Sequence, residues 1–274
     1  MAKLSRLVLI LLTVISLHGC NGYDKLLKGN DFEAKYDYAM KLYNEKSYGR
    51  ANQLFENLTL HYRDRQKSEE ILWCYANSLM KSGDYYTAAY QFLTLTRRFP
   101  YSEHAEEASF LSAYCKYRES PAYSLDQGIT KDAIDELERF AAKYPQSVHI
   151  PEVNAYLDEL RDKLMLKDYE IAYGYYVTEQ YHAAYVALRN FVNLYPDSPK
   201  REDALFYILR SGYEYAIGSR EEKVQERLRQ VVNDFDRFAA SLQNSKHFEA
   251  SQEIYTKSKA ALAHLEQGNT IKTK

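Results

Sequence analysis

One spacing recurs along this chain and leaves it few folds to choose from. Three segments end alike, Arg98-Phe99-Pro100-Tyr101-Ser102, Lys143-Tyr144-Pro145-Gln146-Ser147 and Leu194-Tyr195-Pro196-Asp197-Ser198, and 12 residues before each Pro stands an alanine, Ala88, Ala133 or Ala184. Twelve residues further back from the first and third of these come Ala76 and Ala172. The same ruler marks Ala39, Ala51 and Tyr62 near the front, and Gly212, Val224 and Phe235 near the end. Four residues past each second mark is an apolar side chain: Phe55, Phe92, Leu137, Leu188 and Leu228. Two antiparallel helices approach closely only where one presents a small side chain, and a large neighbour then fills the space. A Pro stops the second helix, because it lacks an N–H and pushes the residue before it out of the α region.

Small residue, second small residue and helix-stopping Pro at this interval form the tetratricopeptide (TPR) pattern, a helix-turn-helix of about 34 residues. The expected fold is all-α, a TPR helical-repeat solenoid of five helix-turn-helix units plus a C-terminal capping helix. The units fall near 32–65, 69–102, 106–147, 165–198 and 205–238. In the third, Ala113 precedes Ala133 by 20 residues, so eight extra residues within 118–128 make a long loop between its helices. Ser109, Ser112 and Lys116 stand where that unit should present packing residues, which leaves its register open. Pro151 suits a helix start, and nothing breaks the pattern before Thr178, so one long helix should lead into unit four. Residues 246–266 read as the cap. The expected segments are a leader over 1–19, a tether over 20–31, units one to three over 32–147, units four and five with the cap over 148–266, and a tail over 267–274.

The first residues read as an address. Lys3 and Arg6 precede an apolar run from Leu7 to Leu17, which is 11 residues and too short to span a bilayer core of about 30 Å. A basic start, a short apolar run and small residues make a secretory signal. It ends Leu17-His18-Gly19-Cys20, which resembles the bacterial lipobox except at His18. Cys20 is then the lipidation residue, carrying a covalent diacylglycerol and an N-acyl group, and two or three chains at about 0.8 kcal/mol per buried CH₂ hold the protein on a membrane. No other cofactor is implied. Cys74 and Cys115 sit in apolar helical contexts without a CxxC and read as buried thiols.

Motifs for chemistry are missing. Formal net charge is −2, which removes the electrostatic footprint of a nucleic-acid binder. No HExxH, GxSxG, GxxxxGK[ST] or GxGxxG occurs, and the seven His are scattered singly. His104 and His149 each follow a repeat's Pro by four residues and read as helix-start surface residues. An enzyme is not expected. The 27 Tyr are the better lead. In TPR arrays the first helix of each unit lines the groove with side chains at −3, +1 and +4 from its small residue. That rule selects Tyr36, Met40 and Tyr43; Trp73, Asn77 and Met80; Phe110, Tyr114 and Tyr117; Tyr169, Tyr173 and Tyr176; Leu209, Tyr213 and Ala216. Ten of those fifteen are aromatic. Tyr and Trp offer large, rigid contact area with a polar tip, which suits extended, partly apolar peptides; packing on neighbouring helices is the competing use.

The lipobox, the five units, the insertion in unit three and the stretch from Asp162 through Tyr169-Glu170-Ile171-Ala172 to Glu179 together resemble the BamD family of outer-membrane assembly lipoproteins, also called YfiO or ComL. The resemblance implies a non-catalytic scaffold on the periplasmic face of the outer membrane, held by its lipid anchor alone. Its partners would be unfolded outer-membrane proteins and the central β-barrel subunit with periplasmic domains. Tyr36, Met40, Tyr43, Trp73, Phe110, Tyr114 and Tyr117 would then line a substrate-peptide groove, while Tyr169, Tyr173, Tyr176 and Arg189 would contact the partner subunit. Two alternatives stay open on the residues alone: another cell-envelope TPR adaptor lipoprotein, or a glycan-binding outer-membrane lipoprotein. The second fits less well, because this chain has one Trp and one modest insertion.

Overall fold

The structure is a computed structural model that describes residues 19–62 and 65–272, and the described residues form helices and no strand. The elements are α1 (Gly19–Lys28), α2 (Phe32–Asn44), α3 (Tyr48–His61), α4 (Arg65–Lys81), α5 (Tyr85–Arg98), α6 (Ala105–Glu119), α7 (Gly128–Lys143), α8 (Ile150–Val177), α9 (Tyr181–Leu194), α10 (Arg201–Ile217), α11 (Glu221–Leu242) and α12 (Phe248–Lys272). From α2 onward, successive helices pair as the spacing predicts, five times over. Two compact units result, residues 1–160 and 161–274, and the division falls inside the long helix α8.

Each pair closes on small residues. Ala39, Ala51, Ala76, Ala88, Ala133 and Ala184 are fully buried, as are Phe55, Phe92, Leu137, Leu188 and Leu228, the apolar residues four positions past the second mark. At Gly212 the fit is tighter still: a Cβ there would lie 3.1 Å from Val231 Cγ2 and 3.2 Å from two ring carbons of Tyr185. The turns repeat too. Ser47, Asp84 and Gln180 donate their N–H groups back to the carbonyls of Leu42, Leu79 and Tyr175 at 2.8, 3.0 and 2.8 Å, the six-to-one bond of a Schellman turn. That bond needs the preceding residue in the left-handed region, and Lys46, Gly83 and Glu179 have φ of 59°, 87° and 59°. Only Gly83 adopts it without steric cost. Asp31 and Asp84 cap α2 and α5 by accepting from Ala34 N–H and Thr87 N–H at 3.0 Å each.

The insertion of unit three is the loop 120–127, and it is tied down: Gln127 Nε2 donates to the carbonyls of Ala122 and Leu125 at 2.9 and 3.0 Å. The register of that unit is the ordinary one. Ala113 is buried at the small-residue position, and its polar neighbours are accommodated by bonding. Ser112 Oγ donates to Ala89 O at 3.0 Å, and Lys116 Nζ meets Glu136 at 3.0 Å.

Three features differ from the sequence reading. Residues 20–31 are not only a tether, because α1 docks on unit one: Tyr23 is buried, donates its hydroxyl to Arg50 O at 2.7 Å and lies 4.5 Å below the Arg50 guanidinium. The capping helix does not stop at 266 but continues to Lys272, since Gly268 lowers helix propensity by only about 1 kcal/mol and does not break it. In unit five the aromatic equivalent to Trp73 is Phe206 rather than Leu209, as the stacking below makes plain. Of the expected leader over 1–19, residues 1–18 lie outside the described residues, as does the side chain of Cys20, and Gly19 opens α1. No helix among the described residues is long and apolar enough to cross a membrane.

Candidate functional site

Within each compact unit the first helices of the repeats carry a row of aromatics, and the leading ring of each is seated the same way. Three residues before the small residue stand Tyr36, Trp73, Phe110 and Tyr169. A basic or imidazole side chain from the start of the next first helix covers the ring. Lys67 Nζ lies 5.6 Å from the Tyr36 centroid, and Lys200 Nζ lies 5.3 Å from that of Tyr169. His104 stacks on Trp73 at 4.3 Å and 7° between planes, and His149 on Phe110 at 3.9 Å and 8°. In the last pair His247 stacks on Phe206 at 4.4 Å and 3°. Cation–π and ring stacking each hold the aromatic in one orientation.

Acidic residues one turn before the ring complete the arrangement. Glu33 bonds Lys67 Nζ at 2.7 Å, Glu107 Oε2 lies 2.7 Å from His149 Nε2, and Asp203 Oδ1 lies 2.7 Å from His247 Nε2. Hydrogen bonds from Lys67 and Tyr62 hold the Glu33 carboxyl below the usual carboxylate range. At Asp203 burial resists ionisation, but His247 and Lys246 outweigh it and keep that carboxyl low as well. These Lys and His residues were missed as a set in the sequence. The signal was present, since 31 residues separate Tyr36 from Lys67, Trp73 from His104 and Tyr169 from Lys200.

Within the N-terminal unit, Tyr36, Met40, Tyr43, Trp73, Tyr114 and Tyr117 are half-buried, while Phe110 is buried beneath His149. Lys67, His104 and Lys81 cover part of the Tyr36, Trp73 and Tyr43 rings. Tyr36 donates to Glu70 at 2.7 Å and Tyr117 to Glu159 at 2.5 Å; Tyr114 accepts from Arg118 Nη1 at 2.8 Å. Burial, then the bond to Glu159, pushes the Tyr117 phenol up to about 12, and burial with Glu70 raises Tyr36 likewise. Both remain hydrogen-bond donors at neutral pH. Tyr117 also stacks on Tyr156 at 4.1 Å. Tyr43 packs edge-on to Phe55 at 6.2 Å, with Lys81 Nζ 5.3 Å from its centroid.

In the C-terminal unit, Tyr169 is buried, and Tyr173 and Tyr176 gather round Tyr207 at 4.8 Å each. Arg189 has an internal commitment. Its Nη1 donates to both carboxylate oxygens of Asp234, at 2.8 and 3.0 Å, and to the Tyr185 hydroxyl at 2.7 Å. Asp234 is fully buried and also accepts from Tyr185 at 2.6 Å. The Arg189 side chain keeps 30% of its surface exposed, so it offers a partner only what this pairing leaves.

Nucleophiles and metal sites are not part of this arrangement. Among the described residues no three His, Cys, Asp or Glu converge on a metal position. Burial pushes the Cys74 thiol up to about 11 and the Cys115 thiol to about 12, which leaves them protonated and unreactive at neutral pH.

Five helical pairs closed on small residues and carrying clamped aromatics define a tetratricopeptide-type helical-repeat protein. The chain belongs to the YfiO family of outer membrane lipoproteins, whose family model matches residues 29–224. Outer membrane protein assembly factor BamD of Xylella fastidiosa, from strains 9a5c and Temecula1, is 32% identical over 82 residues, which is 30% of this chain. The match spans 25% of the length of those curated relatives. Among solved structures, the TPR2AB domain of yeast Sti1 in its pHSP90 complex is 12% identical, with a TM-score of 0.37 over 83% of this chain and 98% of its own. TPR-like repeats of a putative kinesin light chain from Podosopora anserina are 13% identical, with a TM-score of 0.31 over 78% of this chain and 96% of their own. The assignment of the fold rests on the helical pairs themselves.

Proposed function

We propose that this protein is a lipid-anchored, non-enzymatic scaffold on the periplasmic face of the outer membrane that serves assembly of β-barrel outer-membrane proteins. The observation that carries the reading is the clamped aromatic row on a chain of the YfiO family, matched over 29–224. Half-buried Tyr and Trp side chains, apolar in body and polar at the tip, favour extended segments that alternate apolar and polar side chains, which is the pattern of an unfolded barrel strand. Tyr36, Met40, Tyr43, Trp73, Phe110, Tyr114 and Tyr117 would take that segment, with Phe110 supporting the surface from below. The C-terminal pairs, through Tyr173, Tyr176 and the exposed part of Arg189, would hold the periplasmic domains of the central barrel subunit, with Tyr169 buried behind them. Acyl chains on Cys20 would fix the protein to the membrane, and the docking of Tyr23 on Arg50 would keep that anchor close to unit one.

Affinity purification of the acylated protein from gently solubilised membranes tests this reading. The expected co-purifying species is a large β-barrel protein with periplasmic domains, and Cys20→Ser should release the protein into the soluble periplasmic fraction. Absence of such a barrel protein from the purified complex would sink the assembly reading. Retention of the Cys20→Ser variant in stripped membranes would sink the anchor.

A further inference from the structure

A second surface shares no residue with the aromatic row. Between α5, α6 and α7 lies a groove of about 290 Å³ lined by Tyr86, Ala89, Tyr90, Leu93, Lys116, Glu119, Ile129 and Asp132. Its walls are unusual for this fold. Tyr86 and Tyr90, one helical turn apart on α5, are 78% and 62% exposed, and neither hydroxyl has a hydrogen-bond partner among the described residues. The repeat does not call for them. The two equivalent positions are Gly49 and Gln53 in unit one, Lys131 and Asp135 in unit three, His182 and Val186 in unit four, and Glu222 and Glu226 in unit five. Two exposed aromatics confined to one repeat are a local feature that packing does not explain.

Charge at the rim narrows what fits. Lys116 pairs with Glu136 at 3.0 Å, a carboxylate that Arg139 also meets at 3.1 Å. The side chains of Glu119 and Asp132 have no ion-pair or hydrogen-bond partner among the described residues. The groove therefore presents an apolar floor of Ala89, Leu93 and Ile129, two tyrosine rings, and two uncompensated carboxylates. A positive side chain would meet both carboxylates and the electron-rich ring faces. An anionic membrane surface would be repelled. The volume lies near the lower end of ligand pockets, roughly 300–1,000 Å³, and suits a few side chains rather than a folded domain. The groove is also held in shape: Ile129 and Asp132 follow directly on the insertion, whose end is fixed by Thr130 Oγ1 donating to Gln127 Oε1 at 2.7 Å.

We propose that this groove docks a segment of a second protein in which a Lys or Arg is flanked by bulky apolar residues. The apolar side chain seats on Leu93 and Ile129 between the two tyrosines, and the cation bridges Glu119 and Asp132. This is a contact separate from the aromatic row and stands whether or not that row binds barrel segments.

The test places photoreactive benzoylphenylalanine at position 90 of the full chain in living cells, followed by irradiation and sequencing of the adduct. The expected adduct is a peptide from another protein with a basic residue among apolar ones. Its yield should fall about threefold in the Glu119→Gln/Asp132→Asn pair and about tenfold or more in Glu119→Lys/Asp132→Lys, in line with rim charges that act on association. If the reversed-charge variant loses helical content, the neutral pair alone decides. An adduct on lipid, on a second copy of this chain or on an acidic segment, no adduct at all, or a yield indifferent to the charge changes would each overturn the proposal.

Discussion

Arg189→Met should destabilise the C-terminal unit by about 3 kcal/mol, the lower end of what removing one partner of a buried ion pair costs. The reason is what stays behind. Asp234 is fully buried between α9 and α11 and draws two hydrogen bonds from Arg189 Nη1 at 2.8 and 3.0 Å. Without the guanidinium the Tyr185 hydroxyl at 2.6 Å, the Gln230 amide at 3.3 Å and the more distant, largely exposed Arg237 at 3.9 Å remain to offset the carboxylate. Urea unfolding followed by circular dichroism measures the loss. The double variant Arg189→Met/Asp234→Leu should recover most of it, because an apolar pair of similar volume often replaces a buried ion pair at little net cost. A loss under about 1 kcal/mol for the single variant would mean that the pair is not structural. The same two proteins separate structure from recognition. If the double variant is stable yet no longer binds the barrel subunit, the exposed part of Arg189 makes the contact.

Phe92→Ala should cost about 3–5 kcal/mol in the N-terminal unit, the range for emptying a fully packed aromatic site. Phe92 is wholly buried four residues after Ala88, and its ring centroid lies 5.9 Å from that of Trp73 in an edge-on arrangement. Its loss removes the support behind Trp73 while leaving His104 stacked in front. Denaturation should show the destabilisation, and tryptophan fluorescence of the folded protein should shift to the red, since Trp73 is the single Trp. A destabilisation below about 1.5 kcal/mol would place Phe92 outside the core of the pair.

The architecture was legible because steric demand is periodic. Ala39, Ala76, Ala88, Ala133, Ala172 and Ala184 mark where helices touch, and the Pro residues mark where they stop. The insertion before Ala133 and the long helix before Thr178 could be read from departures in that spacing. The candidate surface was legible in part. The −3, +1 and +4 rule located the aromatics, but not that a Lys or His covers most of the −3 rings. A basic residue at a helix start looks like any solvated one until the ring beneath it is known. Unit five misled the ruler for a related reason: Gly212 is the close-contact residue facing Val231 and Tyr185, whereas His247 stacks on Phe206, six residues earlier. Tyr23 could not be placed at all, because a lone aromatic after a leader has no periodic partner to show that it docks on Arg50. The sequence offers Arg189 only as a partner contact, because nothing near it announces Asp234, 45 residues away.

The central claim is that the clamped aromatics of the N-terminal unit hold unfolded barrel segments, and site-specific crosslinking tests it most directly. An unfolded outer-membrane barrel protein carrying a photoreactive group in its last strand is mixed with the full chain and with its Tyr36→Ala/Tyr43→Ala/Trp73→Ala variant, after both are shown to melt as folded helical proteins. The prediction is strong crosslinking to the N-terminal unit, reduced about tenfold or more in the variant, as expected when several aromatic anchors are removed from one surface. Equal crosslinking of the two folded proteins would contradict the account and leave those aromatics a purely structural role.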